Sequence, residues 1–347
     1  MPHHDSVFRQ LLKHIPWAAF DRLVDAHGAD EGIRRFDSRK HLVALLYGQL
    51  SGAGGLRATV CGLESQRARL YHAGGKPVAR STMSDANARR PAGLLCDLFG
   101  TLLQQATRQT RRKLAETTYL IDSTPLPLDT RSSDWSRFSH HVCGAKLHVI
   151  YDPQGDRPIY AALTAARVND VTAAQAMPIE AGATYVFDLG YYDYSWWASL
   201  DAQGCRLVTR FKTNTPLAVV EELEVAAGGD ILSDRIGFLP PRQAKNRRNP
   251  MGVAVREVRV RIEAKRELRL LTNDLDASAQ EIADLYKRRW RIELFFRWLK
   301  QNLRIRKFVG VNENAVRLQI AAALIAYLLR RSAWKAHSPS CAWSATT

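Results

Sequence analysis

Between Thr118 and Phe211, five short apolar runs alternate with two helical stretches, and this succession narrows the fold more than any other feature of the chain. Thr118-Tyr-Leu-Ile-Asp122-Ser reads as a buried strand that ends in a carboxylate. Residues 146–152 and 159–164 read as two more strands. Asp152-Pro-Gln-Gly-Asp156 between them is a turn, so the three run as consecutive antiparallel strands. A helix is expected over 171–177, then a fourth strand over 184–190 with Asp188 near its end. A second helix over 194–203 leads to a fifth strand over 205–211.

Three strands, a helix, a strand, a helix and a strand describe a ribonuclease-H-like α/β core. The flanks differ in texture. Residues 5–115 read mostly as helices, with Leu42, Leu45 and Leu46 on one apolar face, and Pro91 opening a helix through Leu94, Leu95, Leu98, Leu102 and Leu103. Ser81 is the expected N-cap of a short helix carrying Asn87, Arg89 and Arg90. That helix is either the recognition helix of a helix-turn-helix or a polar surface helix before a proline break. From 214 to 276 the pattern is again β: 253–262 alternates apolar and charged residues, 268–272 is its partner, and 240–250 is a basic loop. Helices resume at 278–302 and 313–331.

Lys and Arg number 50 against 34 Asp and Glu in 347 residues, a formal charge of +16, which points to a polyanionic partner and above all nucleic acid. With 46% hydrophobic residues, the charge does not accompany disorder. The five cysteines are scattered, with no CxxC pair, as expected in a reducing compartment. The N-terminus has no signal-peptide pattern, and the longest apolar run, 320–329, is about half a membrane span, so no membrane is expected. Ser51-Gly-Ala-Gly-Gly-Leu-Arg57 ends in Arg where a dinucleotide loop needs Gly; Gly75-Lys76 is followed by Pro77, and neither GxSxG nor HExxH occurs.

Asp122 and Asp188 end strands one and four, which can be neighbours in such a sheet, and Glu293 lies in the helical stretch over 278–302. Three converging carboxylates are hard oxygen ligands suited to Mg²⁺ or Mn²⁺. Two such ions can activate a water or a 3′-OH and stabilise the leaving oxygen of a phosphodiester. On a straight helix, Tyr286, Arg289, Glu293 and Lys300 share an arc of roughly 60°. One face then presents a carboxylate among groups that hold phosphates. From 281 to 310 nine basic residues, Lys287 and Arg297 among them, stand against three acidic ones, with Tyr and Trp interleaved as on a nucleic-acid surface.

Tyr286, Arg289, Glu293 and Lys300 reproduce the Y-x2-R-x3-E-x6-K spacing, and the chain resembles the bacterial insertion-sequence DDE transposases which that signature defines, the "IS four" family. The likeness extends to Leu120-Ile-Asp122-Ser-Thr, Asp188-Leu-Gly190-Tyr, Gly144-Ala-Lys-Leu-His148, Val168-Asn-Asp170 and Gly310-Val-Asn-Glu-Asn-Ala315. It implies that Asp122, Asp188 and Glu293 are catalytic metal ligands for Mg²⁺, with Mn²⁺ as substitute, and that Tyr286, Arg289 and Lys300 grip the transposon end. It implies hydrolysis at terminal inverted repeats, attack of the 3′-OH on target DNA, a homodimer pairing two ends, and a place in the bacterial cytoplasm at the nucleoid.

The expected layout is a helical N-terminal domain over 1–75, a helical DNA-binding or linker region over 76–115, and the catalytic core over 116–213 and 277–331, interrupted by a β-rich insertion over 214–276. Residues 332–347 form an irregular tail without helical periodicity, in keeping with a frameshifted or truncated end. Two rival readings stand beside the transposase: a structure-specific Mg²⁺ nuclease on the same core, and a decayed copy that binds DNA without transposing. His140, His141, Cys143 and His148 cluster without the spacing of a zinc site. Trp196 and Trp197 read as core.

Overall fold

Apolar residues at helical spacing build the first part of the chain into α1 (Val7–Leu12), α2 (Trp17–Ala26), α3 (Ser38–Leu50), α4 (Leu56–Ser65), α5 (Arg67–Leu70), α6 (Arg80–Arg89) and α7 (Ala92–Arg108). The computed structural model describes residues 6–108, 117–139, 142–243, 247–263, 266–302, 308 and 310–337. Two units divide the chain: Met1–Arg111 with Leu126–Gly144 and Arg297–Thr347, and Arg112–Pro125 with Ala145–Phe296. In the first, α13 (Glu313–His337) is the central helix and packs on α7, α3, α6 and α1. Its apolar stretch from Ala315 to Leu329 is buried core. Asn314 fastens its start: the side-chain amide donates to the carbonyls of Asn87 and Arg90 and accepts from the Ala92 amide.

The polar helix α6 departs from expectation. Its N-cap is Ala79, not Ser81, and no side chain caps it. Asn87 and Arg90 face inward: Asn87 pairs with the buried His41 ring at 2.7 Å, and the Arg90 guanidinium donates to the carbonyls of Phe36 and Asp37. Two of the three polar residues carried by this candidate recognition helix, Asn87 and Arg90, therefore make contacts inside the helical unit. Also in this unit, α8 (Ser133–Ser136) precedes β2 (Arg137–Ser139), which pairs with the start of β3.

The second unit is built on one sheet. Its strands are β1 (Thr118–Leu128), β3 (Val142–Asp152), β4 (Arg157–Ala165), β5 (Thr184–Val186), β6 (Arg206–Arg210), β7 (Ala218–Leu223), β8 (Ile231–Phe238), β11 (Val255–Glu263) and β12 (Arg266–Thr272). They lie in the order β4-β3-β1-β5-β6-β12-β11-β8-β7. β5 is parallel to both β1 and β6, whereas β3 with β4, β6 with β12, β12 with β11, β11 with β8 and β8 with β7 pair antiparallel. A short pair, β9 (Arg242–Gln243) and β10 (Arg247–Arg248), stands apart. The β-rich segment thus extends the sheet, because β12 docks directly on β6.

Helices α9 (Asp170–Gln175) and α10 (Tyr194–Ala202) fall where expected and start on Asn169 and Asp193 side-chain caps. Trp196 and Trp197 are buried among Phe187, Tyr191, Tyr194 and Leu207, and the Trp197 indole donates to the Tyr191 carbonyl. The helix expected over 278–302 is two: α11 (Ala279–Arg288) and α12 (Trp290–Asn302). At the junction the amides of Arg289 and Ile292 bond three residues back instead of four, which tightens the turn. The arc drawn on one straight helix therefore does not persist through Arg289.

Arg256 holds the extension to the chain that leads into α11. It makes a fork with buried Asp234 on β8, at 2.7 and 2.6 Å, and donates to the carbonyls of Leu275 and Ala277. Replacing Asp234 by Ala leaves a buried guanidinium short of its anion. It should cost about 3–5 kcal/mol in urea unfolding, and a loss under 1 kcal/mol would contradict this role.

Candidate active site

The carboxylates come together because of strand register. Thr118 pairs with Thr184, Tyr119 with Tyr185 and Leu120 with Val186. Asp122 does not end its strand, as the sequence suggested, because β1 runs on to Leu128; continuing the same offset of 66 residues by two positions matches Asp122, in the middle of β1, with Asp188, just past the C-terminal end of β5. Ligand sites favour that end of a parallel sheet, where the chain leaves it in loops. Each carboxylate is steadied by the backbone just beyond it. Asp122 Oδ1 accepts from the Ser123 amide at 2.8 Å, and Asp188 Oδ1 accepts from the Gly190 amide at 2.8 Å. Gly190 sits so close that a Cβ there would lie 3.0 Å from Asp188 Oδ1, which excludes a side chain without displacing the carboxylate.

Asp193, the nearby acid, belongs to α10: it caps that helix by accepting from the Trp196 amide at 2.9 Å.

Glu293 arrives from the helical side. Ser278 caps α11, and Ile282, Leu285 and Tyr286 anchor its buried face. Helix α11 packs on β6, β8, β11 and β12. After the tightened turn, Glu293 lies in the first turn of α12. Arg289 at the turn ties it to β1: its guanidinium donates to Asp122 Oδ2 at 3.4 Å and makes a short contact with Glu293 Oε1. Tyr286 is buried, with its ring 5.7 Å from that guanidinium. Burial pushes the Tyr286 hydroxyl above its ordinary pKa. Lys287 is exposed at the end of α11. Arg297 and Lys300 lie four and seven residues beyond Glu293 along α12, Arg297 exposed and Lys300 half-buried.

Beside this centre, a cavity of about 440 Å³ opens between Val260, Ile262, Leu268 and Leu270 on the sheet extension and Tyr286, Lys287 and Trp290 on the helical side.

The electrostatics are those of crowded acids. Burial, and then the charge of Asp188, push the Asp122 carboxyl up to about 7, with Glu293 adding to the effect and Arg289 opposing it. As the side chains stand, no three His, Cys, Asp or Glu groups among the described residues are gathered tightly enough to hold one ion. A guanidinium, not a further acid, bridges Asp122 and Glu293. Of the His/Cys cluster, His140 and His141 lie outside the described residues, buried Cys143 is a free thiol, and the His148 ring bonds to the Thr164 hydroxyl.

Sequence reasoning left several neighbours without a role: Ser123, Lys146, Asp170 and Tyr191. All four lie within the short motifs that carry the resemblance, so membership of those motifs was the available signal.

The model of the transposase DDE domain matches residues 113–329. The chain belongs to the DDE transposase family. It is accordingly an enzyme acting on DNA. Residues 3–76 match a domain of unknown function, DUF4372. A Sinorhizobium fredii protein named as transposase y4zB is 42% identical over 272 residues, 78% of this chain and 74% of that one. A Geobacillus stearothermophilus protein named as a transposase for insertion sequence element IS5377 is 29% identical over 72% of this chain and 66% of its own length. In fold, the transposase chain resembles that of the piggyBac transposase synaptic complex with hairpin DNA, with a TM-score of 0.51 at 8% identity, over 97% of this chain and 78% of that one. No helix among the described residues is long and apolar enough to cross a membrane.

The raised Asp122 carboxyl has a measurable consequence in metal-free protein. Between pH 3.8 and about 7 the folded chain keeps a proton that the unfolded chain has released. This group's contribution therefore lowers stability as pH rises through that window. Asp122→Asn removes the effect. Its melting temperature should match the parent near pH 4 and exceed it by a growing margin up to about pH 7. A margin constant with pH would contradict the crowding.

Proposed function

We propose that this transposase cuts DNA at the terminal inverted repeats of an insertion sequence and joins the freed 3′-OH ends to target DNA. The observation that carries the reading is the register that sets Asp122 level with Asp188, with Glu293 tied to Asp122 through Arg289. The sheet order supports a ribonuclease-H-like core: β4, β3 and β1 lie on one side, and β5 and β6 continue parallel to β1. We keep the helical N-terminal domain, the linker region and a catalytic core interrupted by its β-rich insertion, with two changes: α13 runs on to His337, so residues 332–337 are helical where an irregular tail was expected, and 297–331 group with the N-terminal helices.

The donor set fits a divalent cation. Three carboxylates are hard oxygen ligands, and the Asp122 carboxyl, raised first by burial and then by the charges of Asp188 and Glu293, stands where a cation would be favoured. Asp122, Asp188 and Glu293 would hold Mg²⁺, or Mn²⁺ in its place, which supplies an activated water or 3′-OH and stabilisation of the leaving oxygen. Arg289 exchanges a carboxylate for a phosphate of the transposon end, since its planar fork suits both. Buried Tyr286 supports that guanidinium from the preceding turn. Lys287, Arg297 and Lys300 hold backbone phosphates and fix the position of the DNA without reading its sequence. Two copies pair two ends, in the bacterial cytoplasm at the nucleoid.

Labelled DNA carrying the repeats that flank the source element tests this. Cleavage at the repeat boundary should need Mg²⁺, stop with EDTA, and fall by about 10³-fold or more in Glu293→Ala while binding persists. DNA that is bound but uncut would favour a decayed copy, and cutting indifferent to the repeats would favour a structure-specific nuclease.

A further inference from the structure

Asp170, the first residue of α9, is a fourth acid close to the proposed centre, and it is bonded differently from the other three. Its carboxylate accepts from the Ser123 hydroxyl at 2.8 Å and from the Lys146 ammonium at 3.3 and 3.2 Å. Lys146 also donates to the Val168 carbonyl at 3.2 Å, which fixes the chain just before α9. The buried His148 ring lies 3.7 Å from the same carboxylate and is held on its other side by the Thr164 hydroxyl at 2.8 Å. Both Lys146 and Asp170 are mostly covered, so the pair is not a solvated surface bridge.

The bonds lead to both aspartates, Asp122 and Asp188. Ser123 is the hinge: its hydroxyl donates to Asp170, while its amide donates to Asp122. On the other side, Gly190, whose amide holds Asp188, lies against Asp170 as well. A Cβ at that glycine would stand 3.7 Å from Asp170 Oδ2 and 3.0 Å from Asp188 Oδ1. An ammonium offsets the charge of Asp170, so it fixes the two loops without adding an uncompensated negative charge beside Asp122 and Asp188. Groups that hold a ligating carboxylate in place typically govern metal affinity by 10–100-fold, although they never touch the ion.

We infer that Asp170, held by Lys146 and acting through Ser123, is a positioning residue that restrains Asp122 and Asp188 for binding a divalent cation. This rests on the metal-dependent reading of the site.

The test is calorimetric titration of Mn²⁺ into the full, metal-free chain. Parent, Asp170→Asn, Ser123→Ala and Asp122→Asn are compared, with melting temperature as the control for folding. Asp170→Asn should bind Mn²⁺ about 10–100-fold more weakly, Ser123→Ala should weaken binding by a smaller factor while melting like the parent, and Asp122→Asn should bind it least. A structural role alone would lower the melting temperature and leave the affinity of the folded protein unchanged. Parent-like affinity in both Asp170→Asn and Ser123→Ala, with binding lost in Asp122→Asn, overturns the positioning role and leaves the metal reading intact. Parent-like affinity in Asp122→Asn overturns the metal reading itself. If Asp170→Asn fails to fold, Ser123→Ala decides the matter.

Discussion

The burial of one aspartate beside a second, arranged by a strand register, is the constraint around which the site of this transposase is organised. The parallel pairing of β1 with β5 carries two aspartates to the same level of the sheet. Burial, and then the charge of Asp188, raise the cost of ionising Asp122. Everything nearby reads as a response to that cost. Backbone amides of Ser123 and Gly190 point at the carboxylates, a glycine leaves room for one of them, and a guanidinium bridges Asp122 and Glu293.

The rest of the unit supports the register. The aromatic cluster of Phe187, Tyr191, Trp196 and Trp197 anchors the chain on both sides of Asp188. The Arg256–Asp234 fork and the cap at Ser278 set where α11 begins, and through it where Glu293 stands. The site's third acid therefore depends on residues far from it in sequence, and the sheet extension from β7 to β12 is part of the scaffold that delivers it.

Strands β1, β3, β4 and β6 were legible in the sequence, as were helices α9 and α10, because apolar runs and turn residues are local signals. The two aspartates were legible as members of those runs, but Asp122 sits mid-strand, because β1 continues to Leu128. The break at Arg289 was not: a periodic apolar pattern runs through 278–302, and the tightened turn shows only in the hydrogen bonds. Nor was the burial of Asn87 and Arg90, since their partners His41, Phe36 and Asp37 lie some 50 residues away and polar composition alone reads as surface. The neutralising pair Lys146 and Asp170 was visible as two motifs, but their contact is tertiary.

The most direct measurement is anomalous diffraction from crystals of the full chain equilibrated with Mn²⁺. The account predicts a manganese peak between the carboxylates of Asp122 and Asp188, with Arg289 turned away from Asp122. A peak elsewhere with Arg289 still bridging Asp122 and Glu293, or no peak at saturating Mn²⁺, would contradict it.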